Sequence, residues 1–486
     1  MYLFAFAMYR YQISNYYEKK IPNIALIYLP VNKNGFSDIL SIDLEYTLKL
    51  KKAKNKINEI NSSLWEDIKN YTNPYELIYV FNNHHNNTYH SNTYHSNTYH
   101  SNQFRDRNDR IDRINKNIDN ISSIANIKPL SRSFFKMIEI INDFIPKISD
   151  VENIINSLHI AEGPGGFIEA TRYIRNQIKM QLGVGVGVGV GVGVGDGVGV
   201  GVGVGVGVGV GDGDNSDKAF GITLIDDTHK NVPAWKQSNI FLKKHPEVII
   251  STGIDGTGNI YNIKNILFLD KQIKENCSGD AVKDNSGVID FITADGGFDY
   301  SIDYNYQEQA SSKLIFSQII TALKCQKLGG DFVCKFFDLN SYLTVEMLYI
   351  LYLSYDKITI YKPFTSRIAN SEKYIICNGY LGIDSKFLDD LFNVLKDWNA
   401  KTDAKTDNHK TLNQLFTEIP VLFIEKIKEL NKIIIDNQIQ SINNIANIVS
   451  VKAYLDKYWK KENLEKNANL AIEWCKKYKI PYNHFG

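Results

Sequence analysis

The chain has 486 residues, with 55 Lys+Arg against 54 Asp+Glu and 43% apolar residues. A formal charge of +1 excludes a histone-like polycation, so any nucleic-acid contact has to be a local groove. Five scattered cysteines (Cys277, Cys325, Cys334, Cys377, Cys475) without a C-x-x-C pair argue against a disulfide framework or a zinc ribbon and fit a reducing compartment.

Met1–Met8 is apolar but short, and it lacks the basic flank and small-residue cleavage site of a signal peptide. Residues 1–80 mix apolar runs (Ile24–Leu29, Leu77–Phe81) with polar stretches and read as a small folded region of unassigned role. Residues 81–125 form a low-complexity linker in which T-Y-H-S-N recurs three times, followed by the charged run Arg105–Arg113. The repeat holds His84, His85, His90, His95 and His100, but no carboxylate or cysteine keeps its spacing, so it reads as a solvated repeat and no metal site is expected.

From 126 to 385 short β-branched runs alternate with helical stretches. Strands are expected at Leu158–Ala161, Ala219–Leu224, Val248–Ser251, Val288–Ala294, Asp331–Phe336, Lys357–Tyr361 and Tyr374–Asn378, and helices at Phe167–Met180, Gln307–Leu328 and Thr344–Ser354. This alternation predicts the α/β class: a sheet of about seven mostly parallel strands with helices on both faces. Residues 183–217 interrupt it with a Gly-Val tract holding 16 of the chain's 33 glycines, whose uncharged runs are too short for a membrane span. The tract falls between a helix and the next strand, at the sheet edge opposite a ligand site, so it is expected to leave such a site untouched. Residues 386–486 show helical spacing (Phe423, Ile427, Leu430, Ile434; Tyr454–Trp474) and are expected to be an all-helical packing region.

Outside the tract glycine is scarce, which makes His159-Ile-Ala-Glu-Gly163-Pro-Gly165-Gly166-Phe167 conspicuous. A strand enters it and a helix leaves it, so the backbone can approach a ligand and the helix N-terminus presents unpaired N–H groups. It is neither a P-loop nor G-x-G-x-x-G, and taken alone it fits a structural turn equally well. Three later strand ends carry charge: Asp295 in A-D-G-G-F, Lys335 in C-K-F-F-D-L, and Glu372 in S-R-I-A-N-S-E.

Together with Ser131-Arg132-Ser133-Phe134-Phe135-Lys136, these segments resemble the FtsJ-like family of S-adenosylmethionine (SAM)-dependent RNA ribose 2'-O-methyltransferases, from Ser131 to about Gly382. Lys136, Asp295, Lys335 and Glu372 match the family's Lys-Asp-Lys-Glu catalytic tetrad. A-D-G-G-F, K-F-F-D-L, G-I-D-G-T-G-N-I and S-R-I-A-N-S-E are closer to the mRNA cap-1 enzymes than to the bacterial ribosomal RNA enzymes, whose Met-Ala-Pro-type run after the Asp is absent here. The resemblance implies a Rossmann-like fold and a SAM site in which Ala161, Glu162, Gly163, Pro164, Gly165, Gly166 and Phe167 wrap the methionine and ribose. Asn259 and Ile260 would border the adenosine, with Asn259 standing where cap enzymes often carry Asp. It further implies RNA contacts at Ser131, Arg132, Asn305, Tyr306, Gln307, Arg367 and Asn370. The implied partners are capped mRNA and, more loosely, other capping or transcription proteins, with no membrane. The implied location is intracellular: cytoplasm, nucleus or a viral factory.

Chemistry explains why two lysines would share a site. An ordinary lysine, with a pKa of about 10.4, is protonated and useless as a base. A second ammonium nearby and partial burial both lower that pKa. Lys335 would then deprotonate or orient the ribose hydroxyl with Lys136 as its electrostatic partner, while Asp295 aligns Lys335 and Glu372 holds Lys136. Two other readings compete: the same chemistry on ribosomal or transfer RNA, and a catalytically silent RNA-binding subunit, against which the intact tetrad argues.

Overall fold

The computed structural model describes residues 10–13, 19–31, 37–80, 122–150, 152–181, 216–226, 228, 232–277, 287–298, 303–402 and 410–483. The T-Y-H-S-N repeat, the charged run 105–113 and the Gly-Val tract lie outside the described residues.

The central sheet has eight strands: β1 (Arg10–Ile13), β3 (Ser157–Ile160), β4 (Ala219–Ile222), β5 (Val248–Ser251), β6 (Ile289–Ala294), β7 (Gln326–Phe336), β8 (Tyr355–Tyr361) and β9 (Lys373–Tyr380). Their spatial order is β1-β8-β9-β7-β6-β3-β4-β5. The five strands β5, β4, β3, β6 and β7 pair in parallel, while β9 runs antiparallel to both β7 and β8. From β3 the chain moves outward through β4 and β5, then crosses back to lay β6 on the other side of β3. That reversal is a topological switch point, where an open α/β sheet gathers its ligand crevice at the strand carboxyl ends.

Helices cover both faces. One face buries α6 (Ile263–Asn276), α7 (Gln307–Cys325), α8 (Tyr342–Ser354), α9 (Ser385–Lys401) and α10 (Val421–Ser450) in one core cluster. The other face buries α3 (Ser133–Phe144), α4 (Gly166–Gln181) and α11 (Lys457–Lys477) in a second. Strand side chains alternate between them: Ile292, Phe332, Cys334 and Ile375 face the first cluster, whereas Phe291, Val333, Tyr374 and Ile376 face the second. Buried on both sides, these strands read as nearly continuous apolar runs. A short helix, α5 (Asn239–Lys244), precedes β5.

Three elements differ from the sequence expectations. β1 is an eighth strand, pairing antiparallel with β8 from the N-terminal region. The expected helix 307–328 ends at Cys325, because the chain passes directly into β7, and Gly329 (φ +73) and Gly330 bend that strand's first half. The C-terminal region is not all-helical, since β10 (Lys410–Phe416) pairs antiparallel with β2 (Ile24–Pro30) in a separate ribbon. Its partner lies almost the whole chain away, so no local pattern announces it.

The N-terminal region also carries α1 (Leu44–Asn58), packed on α10, and α2 (Ser62–Thr72), packed on α11. Among the described residues no helix is long and apolar enough to cross a membrane.

Candidate active site

Register and parity bring the charged strand ends together. Ala294 pairs with Cys334 in the parallel β6–β7 ladder, so Asp295 and Lys335 leave neighbouring strands at the same level. Both share the parity of Phe291 and Val333 and therefore emerge on the α3 face. Lys335 Nζ lies 3.1 Å from Asp295 Oδ1 and donates to the Asp295 carbonyl at 2.7 Å. Tyr374, opposite Lys335 on β9, donates its hydroxyl to the same Asp295 Oδ1 at 2.9 Å.

The second pair joins α3 to the start of β9. Lys136, on the first turn of α3, sits 2.6 Å from Glu372 Oε1, just before β9 begins. Ser366 donates to that oxygen at 2.8 Å. Burial alone would raise the Glu372 pKa, but Lys136, Lys335 and Lys362 outweigh it and hold the carboxyl at about 2, so it is ionised at neutral pH. Glu372 directly precedes Lys373, which pairs with Phe336 in the β7–β9 ladder, so the second pair stands next to Lys335 at the same sheet edge.

Two supports for this geometry carry no motif of their own. Glu139, one turn after Lys136, accepts the backbone N–H groups of Phe364 (2.7 Å) and Thr365 (2.8 Å), the Tyr361 hydroxyl and Trp474 Nε1 (both 2.9 Å). It thereby locks α3 to the segment leading to Glu372. Lys362 is buried and donates to Asn370 O (2.8 Å), Asn370 Oδ1 (2.6 Å) and Glu372 O (2.9 Å). Burial lowers the Lys362 pKa to about 7, with Lys373 and Lys136 adding to the shift and Glu372 opposing it.

The glycine turn abuts this edge, because Ile160 pairs with Ala294 and the chain leaves β3 beside Asp295. A Cβ on Gly163 would collide with the Ala234 carbonyl, and one on Gly166 with the Ser131 and Ser133 hydroxyls. These two glycines are thus demanded by the chain's own packing. Glu162 is buried inside the turn; its Oε1 takes a short hydrogen bond from Thr293 Oγ1, while Oε2 has no hydrogen-bond partner. Burial, reinforced by Asp295, pushes its pKa well above the usual carboxylate range. Beneath it His159 bonds Thr293 Oγ1 (2.7 Å) and Ser157 Oγ (3.0 Å), and burial lowers its pKa to about 3. Pro164 and Phe167 complete the turn, with Phe167 buried in the α3-side core.

The buried Oε2 of Glu162, 3.4 Å from His159 Nδ1 but without a hydrogen bond, fits a cationic amino-acid headgroup, as a methionine-derived cofactor would present. On the far side Gly163 N donates to Thr223 Oγ1 at 3.3 Å, and the loop carrying Asn259 and Ile260 folds onto the same strand end through Ile225 N to Thr257 O at 2.7 Å. Asn259 Oδ1 accepts the Tyr261 N–H at 2.9 Å and Ile260 is buried in the core, so both residues shape the loop.

The residues expected to touch RNA divide into groups. Asn370 lies beside the tetrad, accepting from Lys362 at 2.6 Å, whereas Ser131 (Oγ 2.5 Å from Ser133 Oγ) lies against Gly166 of the glycine turn. Asn305, Tyr306 and Gln307 form a turn leading into α7. Arg132 instead turns inward, donating to the carbonyls of Glu76, Tyr79, Tyr75 and Thr365 and lying 3.5 Å from Glu76 Oε2. The inward placement has a plain reason: a planar guanidinium satisfies several inward-facing carbonyls at once. Arg367 reaches the same Glu76 at 3.2 Å but stays partly exposed. Burial opposes ionisation of Glu76, yet the two arginines hold its carboxyl below the usual range.

With this geometry in place, comparison with known proteins supplies the family. The family model described as FtsJ-like methyltransferase matches residues 129–380, just over half of the chain. The chain belongs to the FtsJ-like methyltransferase family. Members of that family are in general SAM-dependent. The chain is similar to Cap-specific mRNA (nucleoside-2'-O-)-methyltransferase 1 of Mus musculus (31% identity over 231 residues, 47% of this chain and 26% of that protein). It is also similar to the Homo sapiens protein of that name (40% over 133 residues, 27% and 15%) and to the Trypanosoma cruzi one (34% over 178 residues, 35% and 43%). This chain therefore spans less than half the length of each of these relatives. A solved structure described as a ribosomal RNA methyltransferase from Plasmodium falciparum covers 52% of this chain at 19% identity with a TM-score of 0.30, a likeness too low to bear on fold or substrate.

Proposed function

We propose that this methyltransferase-family chain transfers a methyl group from SAM to the ribose 2'-hydroxyl of the first nucleotides of capped mRNA. The observation that carries the reading is the meeting of two lysine–carboxylate pairs, Lys335–Asp295 and Lys136–Glu372, at one edge of the sheet. The curated relatives named above support the choice of a cap-proximal ribose.

Bound SAM would supply an electrophilic methyl on a sulfonium. Ala161–Phe167 would hold its methionine part, with Glu162 Oε2 receiving the ammonium, and Asn259 and Ile260 would flank the adenosine. In-line displacement depends mainly on positioning. Asp295 fixes Lys335 Nζ through both its carboxylate and its carbonyl, and Tyr374 fixes Asp295 in turn. Lys335 Nζ receives or directs the proton of the 2'-hydroxyl. Glu372, kept ionised by three lysines, holds Lys136 and the ribose. Ser131, Arg367, Asn370 and the turn Asn305–Gln307 contact the RNA strand, whereas Arg132 serves the framework.

Lys335→Ala tests this directly. Loss of a positioned proton acceptor is expected to lower 2'-O-methylation of capped RNA by about 10²–10⁴-fold. SAM binding, measured by calorimetry, is expected to survive. A fully active Lys335→Ala enzyme overturns the assignment. Equal methyl uptake by capped and uncapped RNA of one sequence overturns the cap specificity and favours a ribosomal or transfer RNA substrate.

A further inference from the structure

Helix α1 lies outside the residues that match the methyltransferase family, yet one face of it meets the turn that leads into α7. The contacts come from positions 51, 54, 55 and 58, the spacing of one helical stripe. Lys51 Nζ sits 5.6 Å from the centre of the Tyr306 ring. Lys54 Nζ donates to the Tyr304 carbonyl at 3.2 Å. Asn55 Oδ1 accepts from Asn305 Nδ2 at 2.8 Å, and Asn58 Nδ2 reaches Asp303 Oδ1 at 3.5 Å.

Lys54 also joins this turn to the catalytic strand. It is 5% exposed and forms a 2.5 Å ion pair with Asp338, three residues beyond Lys335. Glu308, at the start of α7, accepts Asn340 N (3.0 Å) and Ser341 N (2.9 Å) just past Asp338, closing the connection from the other side. The turn is thus held on one side by α1 and on the other by the segment after β7. Asn305 Oδ1 is left buried without a hydrogen-bond partner although its Nδ2 is tethered. A buried, unpaired acceptor next to an exposed aromatic, Tyr304 (41% exposed), suits a ligand with hydroxyl or N–H donors and a flat ring.

We propose that α1 is an RNA-positioning element: through Lys54 and Asn55 it seats the turn 303–306 so that Asn305 and Tyr304 receive the acceptor strand of an RNA at a set distance from Lys335. The inference rests on the 2'-O-methyltransferase reading and assigns a role to the N-terminal region. Lys54 and Asn55 are positioning residues that act through the turn.

Steady-state methyl transfer to a short capped RNA by the full chain provides the test, with S-adenosylhomocysteine affinity measured in parallel. Asn55 is exposed, so Asn55→Ala leaves the fold intact. Loss of its single hydrogen bond is expected to raise KM for RNA about three- to tenfold, with kcat and S-adenosylhomocysteine affinity unchanged. Lys54→Met is expected to raise KM further, and Lys54→Arg to recover part of it. Unchanged KM in both Asn55→Ala and Lys54→Met overturns the inference while leaving the functional reading intact. A fall of kcat and cofactor affinity in parallel with the rise in RNA KM and a drop in melting temperature also overturns it, by showing a purely structural role. A wild-type chain that does not methylate RNA at all overturns the functional reading itself.

Discussion

Burial penalises charge throughout this protein, and Glu372 and Glu346 meet that penalty in opposite ways. Glu372 has three lysines around it and stays ionised. Glu346, on α8, accepts the backbone N–H groups of Leu415 (2.7 Å) and Phe416 (3.3 Å) on β10, and burial outweighs these bonds to push its pKa up to about 8. A group whose folded pKa lies above its ordinary value stabilises the fold fully below that ordinary value, here 4.5, and the contribution is lost as pH rises through about 8. Within that window the slope approaches about 1.4 kcal/mol per pH unit. Glu346→Gln keeps an acceptor for β10 and removes the titration. Melting curves from pH 5 to 8 are expected to show wild type losing stability relative to the variant, and parallel pH profiles would refute the shift. Neither carboxylate's state is legible in sequence, because each depends on which distant groups surround it.

At the level of elements, the first βα unit shows how the Gly-Val tract is accommodated. The chain leaves α4 after Gln181 and re-enters β4 through Asp217, at the strand N-terminal edge, where Ser157 N donates to Lys218 O at 2.8 Å. Asp217 accepts from Arg175 (2.9 and 2.8 Å) and Lys179 (2.9 Å) of α4 and from Ile155 N (3.0 Å), so the two ends of the insertion are clasped by buried charges. The site lies at the opposite edge. Replacing residues 184–212 by a short Gly-Ser linker is therefore expected to leave kcat/KM within about twofold, since loop closure changes by only about 0.6 kcal/mol per doubling of length. Asp217→Ala, by contrast, strands Arg175 and is expected to cost about 3–5 kcal/mol in chemical denaturation. A large activity loss on deleting the tract, or a neutral Asp217→Ala, would refute the clasp.

Across the whole molecule, both ends of the chain build the frame around the methyltransferase sheet. β1 extends its edge, β2 pairs with β10, and α11 delivers Trp474 to Glu139 behind Lys136. Phe423 of α10 packs on Tyr349 and Tyr352 of α8, with ring centres 5.0 and 5.2 Å away. A fragment limited to 129–380 would expose these apolar surfaces and leave Glu139 and Glu346 short of partners. Such a fragment is expected to aggregate or to melt without cooperativity, lacking much of a core that single domains need. A soluble fragment with a sharp thermal transition would show that the ends are accessory.

The α/β alternation, the glycine turn, and the placement of Asp295 and Lys335 at the ends of apolar strands are legible from the amino-acid order alone. These features are local: β-branched runs, glycine clusters and strand parity are written within a few residues of where they act. The tertiary structure alone decided that Arg132 faces inward to carbonyls, that β7 begins where a helix was expected to continue, and that β10 joins β2. It also decided that Glu139, Lys362 and Lys54 brace the candidate site. Apart from Lys362, whose partners Asn370 and Glu372 follow it by 8 and 10 residues, each of these depends on a partner far along the chain, and a buried polar side chain takes its meaning from the group that satisfies it.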